Sequence, residues 1–168
     1  MSNLSALRRA KRPRTPLAGP YGHPFHAMLV TVPIGAWTGA IVFDLVSFFA
    51  DDPEPFVRGA MWLAGIGVLG ALLAAAFGLM DLATLTRGTK ARRIALTHMA
   101  LNITAIVLFA VSFLLRLNAP ADAPAVAGFV VALLGYAAVS ASGFLGGELT
   151  YRYGVRVADE ETQAEAHR

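Results

Sequence analysis

Cysteine is absent from the 168 residues of this chain, which excludes disulfides, thiolate metal sites, iron–sulfur clusters and covalently attached haem within it. Charge is scarce too: Asp, Glu, Lys and Arg make up 15% of the residues, against about 25% in an ordinary soluble domain. No Ser/His/Asp array, phosphate-binding glycine loop or nucleotide motif occurs, so nothing points to a hydrolase or a transferase. A sequence pI of about 9.7 invites a nucleic-acid reading. The net charge is only +3, however, and the basic residues fall in short clusters beside apolar runs, which is the pattern of membrane topology.

What the chain has instead is long hydrophobic runs. Residues 27–43, 59–80, 94–115 and 123–147 carry no charge, and the first run extends to residue 50 past Asp44. About 20 residues of helix cross a hydrocarbon core. The expected fold is therefore all-α, an integral membrane four-helix bundle running up-down-up-down. Its helices are expected at 24–50, 57–83, 93–116 and 124–148, within a membrane domain over 23–157. A basic, proline-containing arm (1–22), read as extended or disordered, precedes it, and a polar tail (158–168) follows. Pro33 is expected to kink the first span. Rows of small residues, such as Gly35 with Gly39 and Ala74 with Gly78, suit close helix packing in lipid. No internal repeat is evident.

Lys and Arg number eleven on one side of the spans: Arg8, Arg9, Lys11, Arg12 and Arg14 in the arm, Arg87, Lys90, Arg92 and Arg93 in the second connection, Arg152 and Arg156 after the last span. Arg58 and Arg116 lie on the other side. The positive-inside rule then places both termini in the cytoplasm of a cell whose plasma membrane holds the protein, with the first span kept as a signal anchor.

Ionisable residues inside a membrane are costly and mark candidate sites. His26, Asp81, His98 and Asn102, with His23 and Glu148 at the edge, fall at similar depth near the terminal end of the spans. Asp44, eighteen residues beyond His26, belongs to the opposite interface, where it is expected to pair with Arg58 or to snorkel to water. In a bundle the first and third spans are diagonal, about 14 Å apart. That suits two imidazoles ligating one haem iron from opposite faces through bonds of about 2 Å. Gly78, Gly143, Gly146 and Gly147 are expected to make room for the macrocycle, Arg92 and Arg93 to pair with its propionates, and Asp81 and Asn102 to support the ligands. Three readings stay open: a b-type haem on His26 and His98 with a redox protein or membrane subunit as partner; a structural polar network in a non-catalytic scaffold that docks a partner or anionic lipid; or a metal or proton carrier in which His23 and His26 hold zinc or copper with His98 or Asp81. Ser112, Ser140 and Ser142 are expected to bond their own helix backbone.

The string Gly22-His23-Pro24-Phe25-His26-Ala27-Met28-Leu29-Val30, followed by Pro33-Ile34-Gly35, resembles the opening of the bacterial "domain of unknown function 2231" family of membrane proteins. The likeness continues through Phe43-Asp44-Leu45, Gly78-Leu79-Met80-Asp81, His98 with Asn102, and Gly146-Gly147-Glu148-Leu149-Thr150-Tyr151-Arg152-Tyr153-Gly154-Val155, about residues 22–157 in all. The resemblance implies four spans and a bacterial plasma membrane. Some members are similar to fusions with Rieske or cytochrome-type modules, which implies a redox setting. Two positions depart from the family pattern: Ala27 stands where a second proline is usual, and Tyr153 where a histidine is.

Overall fold

The computed structural model describes residues 3–13, 15–19 and 23–168. The expectations that rest on Arg14 and Gly22 lie outside the described residues. Regular structure among the described residues is helical: α1 (Asn3–Lys11), α2 (Phe25–Leu29), α3 (Thr31–Ser47), α4 (Glu54–Leu82), α5 (Lys90–Leu117), α6 (Val126–Gly147) and α7 (Glu160–Glu165). Four helical segments are long and apolar enough to cross a membrane: Phe25–Ser47, Glu54–Leu82, Lys90–Leu117 and Val126–Arg152. The second begins earlier than expected because Pro55 sits in its first turn, where a missing N–H costs nothing. The fourth continues α6 through a π-helical turn, Glu148–Arg152. Pro33 acts as expected. It has no N–H for the carbonyl of Leu29, and the first span breaks at Val30 between α2 and α3.

The spans form the expected bundle, each packed against its sequence neighbours, with the fourth returning to the first. Its composition is inverted relative to a soluble core. Ala40, Ala60, Ala64, Ala105 and Ala132 are fully buried, whereas Leu69, Leu134, Ile103 and Trp62 are more than half exposed on the outer face. In hydrocarbon, Leu gains nothing by turning inward, so small side chains that let backbones approach fill the interior.

The first and third spans face each other across the diagonal and meet through large side chains at three depths. His26 and His98 pack edge to face with ring centroids 6.1 Å apart. Trp37 and Phe109 stack at 4.1 Å with planes 3° apart. Asp44 accepts two hydrogen bonds from the Arg116 guanidinium, at 2.5 and 2.7 Å, with both residues buried. Each pair is separated by the same 72 positions. The second and fourth spans answer with a common offset of 68: Ala64 and Ala132, Gly67 and Gly135, Ala74 and Ser142, Gly78 and Gly146. Gly67 lies beneath the Trp37 indole as Gly135 lies beneath the Phe109 ring. The bundle is thus two copies of one helical hairpin related by a near two-fold axis along the spans. The repeat escapes a linear reading because the matched residues differ in kind and only their positions agree.

Three other expectations are corrected here. Arg58 pairs with Glu54 one turn away, on the surface, and leaves Asp44 to Arg116. Ser112 and Ser142 bond the neighbouring helix, donating to Gly128 O and His98 O, while Ser140 bonds its own helix as expected. Over Asn3–Lys11 the arm is helical and docked, not extended or disordered. The Arg156 N–H donates to Ala10 O, the Arg156 guanidinium to Ala18 O, and Lys11 binds Glu160 at 2.7 Å. Ala10, Leu85, Ala95, Leu149 and Val155 form a small apolar cluster beneath this cap.

Removing either charge of the buried pair leaves the other unpaired in the bundle. Asp44→Asn is expected to cost about 3–5 kcal/mol, and Asp44→Arg with Arg116→Asp to recover most of it, read as unfolding midpoints in detergent. The Lys11 hydrogen bond holds the Glu160 carboxyl below its ordinary value of 4.5. A depressed carboxylate stabilises the docked form at neutral pH and loses that contribution as pH falls through its folded value. Proteolysis of the tail is therefore expected to quicken below the ordinary glutamate range, and Glu160→Gln to quicken it already at pH 7.

Candidate functional site

His26 enters from the short helix α2, ahead of the proline break, and His98 from the third turn of α5. Both lie toward the end of the bundle that carries the termini. The His26 Nδ1–H donates to Ala74 O at 2.9 Å. On the other side of the axis the His98 Nδ1–H donates to Ser142 O at 2.9 Å, and the Ser142 hydroxyl lies equally close to the same nitrogen. A carbonyl only accepts, so each imidazole carries its proton on Nδ1 and presents a lone pair at Nε2. Ala74 and Ser142 are equivalent positions, so the two rings are held in the same way. The Asn102 amide donates to His98 O and lies 3.0 Å from His98 Nε2, one turn deeper.

The glycines at this level accommodate the histidines themselves. A Cβ on Gly78 would stand 3.0 Å from His26 Nδ1, and one on Gly146 would stand 3.2 Å from His98 Cε1. Gly143 and Gly147 do not back either ring. His26 and His98 are half-buried, whereas Trp37 is 1% and Phe109 0% exposed further along the axis, where the aromatic stack closes the interior.

The remaining sequence candidates divide. Asp81 is buried at the end of α4, where it faces both His26 and Arg156, whose Nε is 3.0 Å from its carboxylate. Arg92 donates to Leu82 O and Leu85 O and so caps the end of α4; Arg93 is exposed. Glu148 forms an i,i+4 pair with Arg152, and His23 is exposed at the span edge. Among the described residues no three His, Asp or Glu side chains gather as a metal cluster. The structure thus brings together His26, His98, Asn102 and Asp81, and keeps His23, Arg92 and Arg93 outside the pair.

A family of predicted membrane proteins, DUF2231, matches residues 22–159. The chain belongs to this family. No curated protein and no solved structure matches it. The matched DUF2231 segment contains all four spans, both histidines and both members of each axial pair, and it ends at the residue that caps α7.

Sequence reasoning missed Ser142 and Arg156 in this DUF2231 domain. Ser142 looks like any helix serine, and only its offset from Ala74 relates it to a partner of the other histidine. Arg156 reads as a tail charge, although it adopts φ 60°, rare for a non-glycine residue, and buries its guanidinium against Asp81. Gly78→Ala would press on a ring tethered to Ala74 O and is expected to cost about 1–3 kcal/mol, whereas Gly143→Ala, with open space around it, should be neutral or stabilising. Thermal unfolding of the two variants side by side checks this.

Proposed function

We propose that the chain is a small membrane electron-transfer subunit that holds a b-type haem between His26 and His98. The observation that carries the reading is the symmetric imidazole pair, 6.1 Å between ring centroids, with both Nδ1–H groups tied to backbone carbonyls. That separation is on the order of what two metal–imidazole bonds of about 2 Å span. An Nδ1–H donated to a carbonyl is the outer-shell contact that fixes a ligating histidine's tautomer and raises its basicity. The partial exposure of both rings, with the Trp37–Phe109 stack closing the interior further along, supports placing such a group at this end. Haem held by His26 and His98 would supply a one-electron iron couple, tuned by the histidines and by burial.

The chain's own residues would orient and insulate that site. Ala74 and Ser142 carbonyls set the two rings, and Gly78 and Gly146 let them lie against the helices behind. Asn102, beside His98 Nε2, is the residue that must yield that lone pair. The Trp37–Phe109 stack excludes water from the far side. Arg92 is engaged with carbonyls, so Arg156 is the cation for an acidic side group: its guanidinium is buried beside Asp81, and its Nη1 and the Tyr153 hydroxyl are buried without a hydrogen-bonding partner. The excess of Lys and Arg at the terminal end supports a cytoplasmic placement of the site. Withdrawal of Arg116 into the buried pair leaves Arg58 as the basic residue of the opposite connections. The family resemblance and the membrane topology fit a bacterial plasma membrane.

The full chain expressed with haem supplied is expected to show a Soret band and, after dithionite, sharp α and β bands. Because the two histidines occupy equivalent positions, His26→Ala and His98→Ala should each abolish the six-coordinate spectrum. A colourless but monodisperse and folded protein would overturn the haem reading in favour of a structural network, which the satisfied Nδ1 groups also suit.

A further inference from the structure

The arm carries a run of positive charge, Arg8, Arg9, Lys11 and Arg12. Lys11 is engaged by Glu160 and by Ala158 O, and the carbonyls at the end of α4 are capped by Arg92. Arg8, Arg9 and Arg12, together with Pro13, line an open cavity of about 560 Å³ whose other wall is Ala83 and Thr84. No carboxylate is among the described residues of the lining; the acid that Arg12 senses is Asp159, outside it. We infer that this cleft binds the phosphate headgroup of an anionic phospholipid, and so seats the arm on the membrane surface independently of whatever the histidine pair holds.

Two observations favour a lipid over a soluble anion. The cleft begins at Ala83, directly beyond Leu82, the last residue of the second span, which is the level at which headgroups lie. Beside it α1 leaves Leu4 68% and Leu7 36% exposed, three residues apart on one helix face, and Leu17 is 72% exposed just after it. A basic face next to an exposed leucine face is the signature of a helix lying in the interface, its apolar side in the acyl boundary and its cations among the phosphates. The helix is held in this position from behind, by buried Ala10 and by the hydrogen bond from Arg156 N to Ala10 O. The arginines are therefore presented to the membrane at fixed height and do not swing on a free tail.

The full chain, purified in neutral detergent, is titrated with phosphatidylglycerol, phosphatidylcholine or inorganic phosphate while its thermal midpoint is followed. Phosphatidylglycerol is expected to raise the midpoint, and the other two to leave it unchanged. An arginine near an anionic surface contributes about fivefold in affinity, so Arg8→Gln with Arg12→Gln should weaken the response about 25-fold. Arg93→Gln, exposed but outside the cleft, should not weaken it. Leu4→Gln with Leu7→Gln should also weaken it, without removing any charge. No rise with phosphatidylglycerol, an undiminished rise in the double arginine variant, or an equal rise with inorganic phosphate would each overturn the assignment.

Discussion

This bundle folds in a solvent as apolar as its own leucines, so burial of hydrophobic surface does not hold the four spans together. What remains is close packing and polar contact. Close packing explains why alanine, glycine and serine fill the interior while the bulky aliphatic residues look outward. Polar contact and ring packing explain why each depth along the diagonal has its own pair: imidazole on imidazole, indole on phenyl, carboxylate on guanidinium. The diagonal helices are too far apart for small residues to bridge, and only long side chains reach the axis. Glycines 67, 78, 135 and 146 are the complement of that reach, since each lies behind one of the large axial rings.

The two-hairpin design also determines what kind of site the protein can build. A ligand on the axis meets the same ring, held by the same carbonyl, from either side. Departures from symmetry flank the two rings. Asp81 with Arg156 stands on the side of His26, and Asn102 is added beside His98. The two imidazoles are therefore alike in the carbonyl bond that holds each Nδ1 and unlike in the charge around them.

Much of the architecture was legible in the sequence, because span length, the Pro33 break and the depth of each polar residue follow directly from a rise of about 1.5 Å per residue. Depth alone assembled His26, Asp81, His98 and Asn102. Direction around the helix axis was not legible. Asp44 was assigned to Arg58 because both lie at one interface, whereas Arg116, in the last turn of α5, points inward and Arg58 points out. Arg92 and Arg93 lie at the expected depth, Arg92 bound to the Leu82 and Leu85 carbonyls and Arg93 exposed. The arm's helix was hidden by its prolines, which begin only at Pro13, after the helix has ended. The internal repeat was invisible to residue matching because equivalence is expressed as shape and charge complement across the axis.

That complement has a consequence for how such a bundle can exist at all. If the first hairpin paired with a second copy of itself, two aspartates would confront each other where Asp44 now meets Arg116. A pair of second hairpins would confront two arginines. Neither arrangement tolerates hydrocarbon, so the two halves are obligate opposites at one point on their shared axis while pairing ring with ring at the others. Joining them in one chain provides this: a scaffold with the economy of a symmetric dimer, and one locus free to become unlike its counterpart, which forbids every pairing but the right one.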